Sequence, residues 1–94
     1  MNDSEAAAHV RVQGRVQGVG YRFFAQEAAE AHGLKGWVRN VPGGQVEAEV
    51  EGPRAAIENF LEDLRKGPPI ARVEAVQVDW HPPAAQFQEF EIRP

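Results

Sequence analysis

The chain has 94 residues, 43% of them hydrophobic, with no cysteine and a net charge of −4. This length fits one domain with a modest core, and the missing cysteines exclude disulfides, thiol nucleophiles and thiolate-held metals. The acidic balance argues against general affinity for nucleic acid or anionic membrane, which needs a basic field. No apolar run approaches the roughly 20 residues of a membrane span. The opening MNDSEAA lacks the basic and apolar regions of a secretory leader. A cytoplasmic monomer is expected, with residues 1–7 as a flexible N-terminal tail and 8–94 as the domain.

His9 to Gln13 alternates apolar and polar residues, the period of a strand. Gly14 to Arg22 (GRVQGVGYR) then places three glycines within seven residues. Tyr21 to His32 reads as a helix with Phe24, Ala28 and Ala31 on one stripe. Gly33 sits where a left-handed residue ends a helix, and Leu34 can fold back on the last turn. Lys35 to Val41 is a second strand, Pro42-Gly43-Gly44 a turn, and Gln45 to Glu51 a third strand. In that third strand Val46, Ala48 and Val50 alternate with Glu47, Glu49 and Glu51, which predicts an open, solvated carboxylate face. Gly52-Pro53 opens a second helix, in which Ile57, Phe60, Leu61 and Leu64 recur at helical spacing. Gly67-Pro68-Pro69 stops it. Val73, Val76 and Val78 mark a fourth strand reaching about Trp80. Phe87, Phe90 and Ile92 suggest a short closing strand after the His81-Pro82-Pro83 break.

The order β-α-β-β-α-β, with a short fifth strand, predicts an α+β, ferredoxin-like sandwich: a largely antiparallel sheet with two helices on one face. The crossover rule makes strands one and two parallel, so their C-terminal ends share one edge of the sheet. The glycine loop and Asn40 therefore meet there.

A glycine-rich loop running into a helix N-terminus can turn several backbone N–H groups toward one anion, and the helix dipole favours negative charge. Arg22, in the first turn, can add a planar guanidinium suited to phosphate. By spacing alone, a tight strand-to-helix turn explains the glycines equally well. The loop is neither a Walker P-loop nor a dinucleotide fingerprint.

VQGRVQGVGYR and GLKGWVRNVPGGQVEAEVEGP together resemble the two signature segments of the acylphosphatase family, over residues 12–53. The resemblance implies hydrolysis of the carboxyl–phosphate anhydride of small acyl phosphates. It assigns phosphate binding to Gly14, Arg15, Val16, Gln17, Gly18, Val19, Gly20, Tyr21 and Arg22. Arg22 and Asn40 become the catalytic pair, the arginine binding phosphate and the asparagine orienting the attacking water. No metal or other cofactor is expected, and inorganic phosphate or sulfate should occupy the same cup. Some family members have threonine where this chain has Val41, and others end in an aromatic residue where it has Pro94. Both departures are expected to alter rate or loop stability without removing a primary group.

The other candidates have plainer readings. His9, His32 and His81 lack metal-ligand spacing, and His32 suits a helix C-terminus. Trp37 and Trp80 read as packing residues, Arg39 as a solvent-facing charge, and Tyr21 as an anchor for the loop. Two rivals stay open. One is an RNA-binding sheet, against which the third strand offers glutamates instead of exposed aromatics. The other is a phosphate-binding accessory domain with little activity, although a chain of this length is expected to be a separate enzyme.

Overall fold

The computed structural model describes residues 4–94. Its elements are β1 (Glu5–Arg15), α1 (Tyr21–Ala31), β2 (Lys35–Asn40), β3 (Val46–Pro53), α2 (Arg54–Lys66), β4 (Arg72–His81) and β5 (Phe90–Arg93). They form one five-stranded sheet in the order β4-β1-β3-β2-β5. β3 pairs antiparallel with both β1 and β2, which therefore run the same way with β3 between them. β4 is antiparallel to β1, and β5 is parallel to β2. This is the expected ferredoxin-like architecture.

The core forms where the apolar face of the sheet meets the helices. Val10, Val12, Val38, Val46 and Val50 are all buried, against Ile57, Phe60 and Leu64 of α2. α2 turns its predicted stripe inward. α1 does not: its fully buried residues are Tyr21, Ala25 and Ala29. Phe24 and Ala28 are half-buried flanks, and Ala31 is exposed. Tyr21 sets this rotation, because its ring fills the core and its hydroxyl donates to the Leu64 carbonyl at 2.7 Å. Alanines one and two turns later then face the sheet, where small side chains permit close packing. The helix closes as its sequence suggests, with Gly33 N–H bonded to Glu30 O at 3.1 Å and Leu34 N–H to Ala29 O at 2.9 Å.

Two expectations are corrected. Glu5, Ala6 and Ala7 are not tail: β1 begins at Glu5, and these residues pair with Pro53, Gly52 and Glu51. Ala7 is fully buried and also pairs with His81 of β4. Alanine has little strand preference, but ladders on both sides hold it there. Residues 1–3 of the expected tail lie outside the described residues.

The carboxylate face is the second correction. Glu47 and Glu51 are only 8% and 7% exposed. Arg39 and Arg11 lie directly opposite Glu47 on the neighbouring strands. Arg39 Nε reaches its carboxylate at 2.7 Å, His9 Nε2 at 2.6 Å and Arg11 at 3.7 Å. Glu51 accepts from the Ala84 N–H at 2.9 Å, and Glu49 pairs with His81. Long side chains on the flanking strands thus lie over Glu47, while His81 at the end of β4 and the backbone just after it meet Glu49 and Glu51. Arg39 is exposed, as expected of a solvent-facing charge, and is also an ion-pair partner of Glu47.

Burial pushes the Glu47 carboxyl upward, but the hydrogen bonds and charges of His9 and Arg39 outweigh it and leave the group below its ordinary value of 4.5. A carboxylate depressed in the folded state stabilises the fold above its unfolded pKa, and this contribution is lost as pH falls through the folded value. Glu47→Gln should therefore remove part of the acid-side loss. Urea unfolding of both proteins at about pH 7 and about pH 3 checks this. A pH dependence identical in the two would contradict it.

Candidate active site

The loop begins where β1 bends. The β1–β4 register shifts between Gln13 and Gly14, a bulge of the kind that turns a strand at a sheet edge. Gly14 belongs to β1, and a Cβ there would stand 2.1 Å from the Arg72 carbonyl oxygen. Its glycine is thus required by the backbone of β4. Val16, 1% exposed, plugs into the core and holds the loop down. Gly18 and Gly20 have φ of 76° and 77°, with open space where a Cβ would project. Left-handed backbone at these two points, not crowding, calls for glycine.

Gly20 is also the N-cap of α1. No side chain caps this end, and the first turn carries no acidic residue. The Phe24 N–H closes the first turn on the Gly20 carbonyl at 3.1 Å. The N–H groups of Tyr21, Arg22 and Phe23 have no acceptor within the helix. Arg22 places a cation in that same turn, against the dipole. Both features are unfavourable in isolation and complementary to an anion.

Arg22 is half-buried. Among the described residues, neither Arg22 nor Arg15 has a carboxylate within ion-pair distance, unlike Arg11, Arg39, Arg54, Arg65 and Arg93. Val16 and Tyr21 can offer a ligand only backbone, since both side chains are in the core. Burial raises the Tyr21 phenol above its ordinary range, so it stays protonated.

Asn40 ends β2 on the same edge. It pairs with Val46, which on its other side pairs with Val12 of β1. One strand therefore separates Asn40 from the end of β1, a distance of about 10 Å. Asn40 shares the parity of buried Val38, and so the helix-facing side of the sheet, whereas Arg39 and Trp37 lie on the opposite face. Its Oδ1 is buried and has no hydrogen-bond partner among the described residues. An orphaned buried acceptor costs about 1–3 kcal/mol and asks for an explanation.

Gln17 spans the gap. Its Nε2 donates to the carbonyls of Val41 and Gln45, both at 2.8 Å. The structure thus brings Gly18, Gly20, Arg22 and Asn40 to one edge and leaves Arg39 on the other face. Val41 serves this edge through its backbone. Pro94 lies on the opposite face, beside His9, Trp37 and Arg93. Trp37 has the Arg39 and Arg93 guanidiniums 5.5 and 5.3 Å from its ring, and Trp80 has that of Arg54 at 3.9 Å. His32 bonds Asp63 at 2.9 Å. A groove of about 540 Å³ lies between Phe24 and Ala28 of α1 and Asp63 and Lys66 of α2. Among the described residues no helix is long and apolar enough to cross a membrane.

This is an α+β sandwich with an uncapped, arginine-bearing helix N-terminus at one sheet edge. The family model described as acylphosphatase matches residues 8–92. An acylphosphatase of Anaeromyxobacter dehalogenans is 51% identical over 86 residues, covering 92% of each chain. The crystal structure of acylphosphatase from Bacillus subtilis superimposes with a TM-score of 0.92 at 36% identity, over 95% of this chain and 99% of that one. Full-length HypF, in a phosphate- and nucleotide-bound form, contains a similar unit: TM-score 0.88 and 30% identity over 97% of this chain but 12% of HypF. The chain belongs to the acylphosphatase family.

Proposed function

We propose that this chain hydrolyses acyl phosphates to carboxylate and inorganic phosphate, with residues 14–22 as the cup, Arg22 as its cationic clamp and Asn40 as the holder of water. The observation that carries the proposal is the pairing of an uncapped helix N-terminus bearing Arg22 with the orphaned Asn40 oxygen at the same edge.

The loop and first-turn N–H groups and the Arg22 fork hold the three phosphoryl oxygens. Asn40 Oδ1 accepts a hydrogen bond from a water in line with the scissile bond. The water oxygen bonds to phosphorus as the phosphorus–oxygen bond to the acyl group breaks. The electron pair leaves with the carboxylate, a good leaving group that needs no strong acid. Asn40 is neutral and a poor base, so the water's proton passes to a phosphate oxygen. Positioning and charge stabilisation supply the catalysis.

Benzoyl phosphate gives a direct assay. Release of benzoate and phosphate in equal amounts, well above the uncatalysed rate, is expected. The likeness to part of HypF supports a second reading, a domain that binds phosphate with little turnover. Saturable phosphate binding without hydrolysis would favour it over the first.

A further inference from the structure

We infer that Gln17 is a positioning residue that acts through Asn40, and that its side chain is no part of the phosphate cup. The inference rests on the reading of Asn40 just given. Both N–H groups of the Gln17 carboxamide are committed, one to the Val41 carbonyl and one to the Gln45 carbonyl. What remains is a carbonyl oxygen, an acceptor that a phosphate would repel. The opposite placement of the amide would set its oxygen against two carbonyl oxygens, so the network itself fixes the orientation.

Both bonds land on the turn that follows Asn40. The Val41 N–H donates to the Gln45 carbonyl at 2.8 Å, and the Gly44 N–H donates to the Val41 carbonyl at 3.2 Å. Each of these carbonyls thus accepts one bond from within the turn and one from Gln17. Val41 is held at both its N–H and its carbonyl, which fixes the peptide immediately after Asn40. The cup and Asn40 otherwise belong to separate segments with β3 between them. Gln17 is a rigid strut from the middle of the cup to the residue that holds water, and it sets the distance between bound phosphorus and attacking oxygen.

Double-mutant kinetics on benzoyl phosphate test this. Gln17→Ala should lower kcat roughly ten- to a hundredfold, the scale of a misplacement of about 1 Å. Competitive inhibition by inorganic phosphate, which reads the cup alone, should stay within about twofold. In an Asn40→Ala background the same change should cost less than about twofold, because the group it positions is gone. Gln17→Met keeps the volume without the donors and should reproduce each result if the alanine variant folds poorly. Losses that simply multiply in the double variant would overturn the coupling. So would phosphate inhibition weakened as much as kcat, which would return the side chain to the cup. Full activity of Asn40→Ala by itself would instead remove the water-holding assignment, and this inference with it.

Discussion

Arg22→Ala should lower kcat/KM on benzoyl phosphate by about a thousandfold, a loss of about 4 kcal/mol in transition-state stabilisation. Among the described residues no second side-chain cation shares the first turn of α1: Arg39 is bound to Glu47 on the far face of the sheet, and Arg15 ends β1 at the opening of the cup. Arg22→Lys should recover little, since a point charge lacks the fork that grips two phosphoryl oxygens. Arg22→Ala should nonetheless fold at least as well as the wild type. Arg22 has no carboxylate partner among the described residues and sits at the positive end of α1, where a cation costs about 0.3–1 kcal/mol. Urea unfolding should therefore show unchanged or slightly raised stability. Phosphate should raise the wild-type Tm by linkage and raise that of the variant far less. A variant that keeps its rate, or that loses rate only because it unfolds, would dismiss Arg22 as the clamp.

What could be read from the residues follows physical range. Elements with strong periodicity or punctuation were legible: the α2 stripe, the Gly33 stop, and the β2–β3 hairpin around Pro42-Gly43-Gly44. The meeting of loop and Asn40 followed from a topological rule, because strand direction in a crossover is restricted. Side-chain pairing between strands was not legible. Glu47 reads as solvated on its own strand, and only the register that sets Arg39 and Arg11 beside it explains its burial. Residues 5–7 carry no strand signal, since alanine is neutral and the ladder partners lie more than forty residues away. Tyr21 was legible as the anchor of the loop, but the Phe24, Ala28 and Ala31 stripe did not follow, because the buried Tyr21 ring turns Ala25 and Ala29 to the sheet instead. Gln17 was legible as a loop member, but its bonds reach across 24 and 28 residues to backbone carbonyls that no sequence pattern marks.

Asn40→Ala should lower kcat by roughly a hundredfold or more, the scale set by a lost near-attack geometry, while inhibition by inorganic phosphate stays close to the wild-type value. That split separates it from Arg22→Ala, which should weaken both. The stability change should also run opposite to that of an ordinary polar truncation. Asn40 Oδ1 is buried without a partner among the described residues, so removing it leaves no bereaved donor and relieves a desolvated acceptor. Urea unfolding is expected to show stability equal to the wild type or higher by about 1 kcal/mol. Gain in stability with loss of turnover is the signature of a group kept for chemistry and not for folding. A fall in both would show that the carboxamide supports the β2–β3 turn. A fall in neither would mean that the water is held by some other group, and the cup would then be a binding site without its second half.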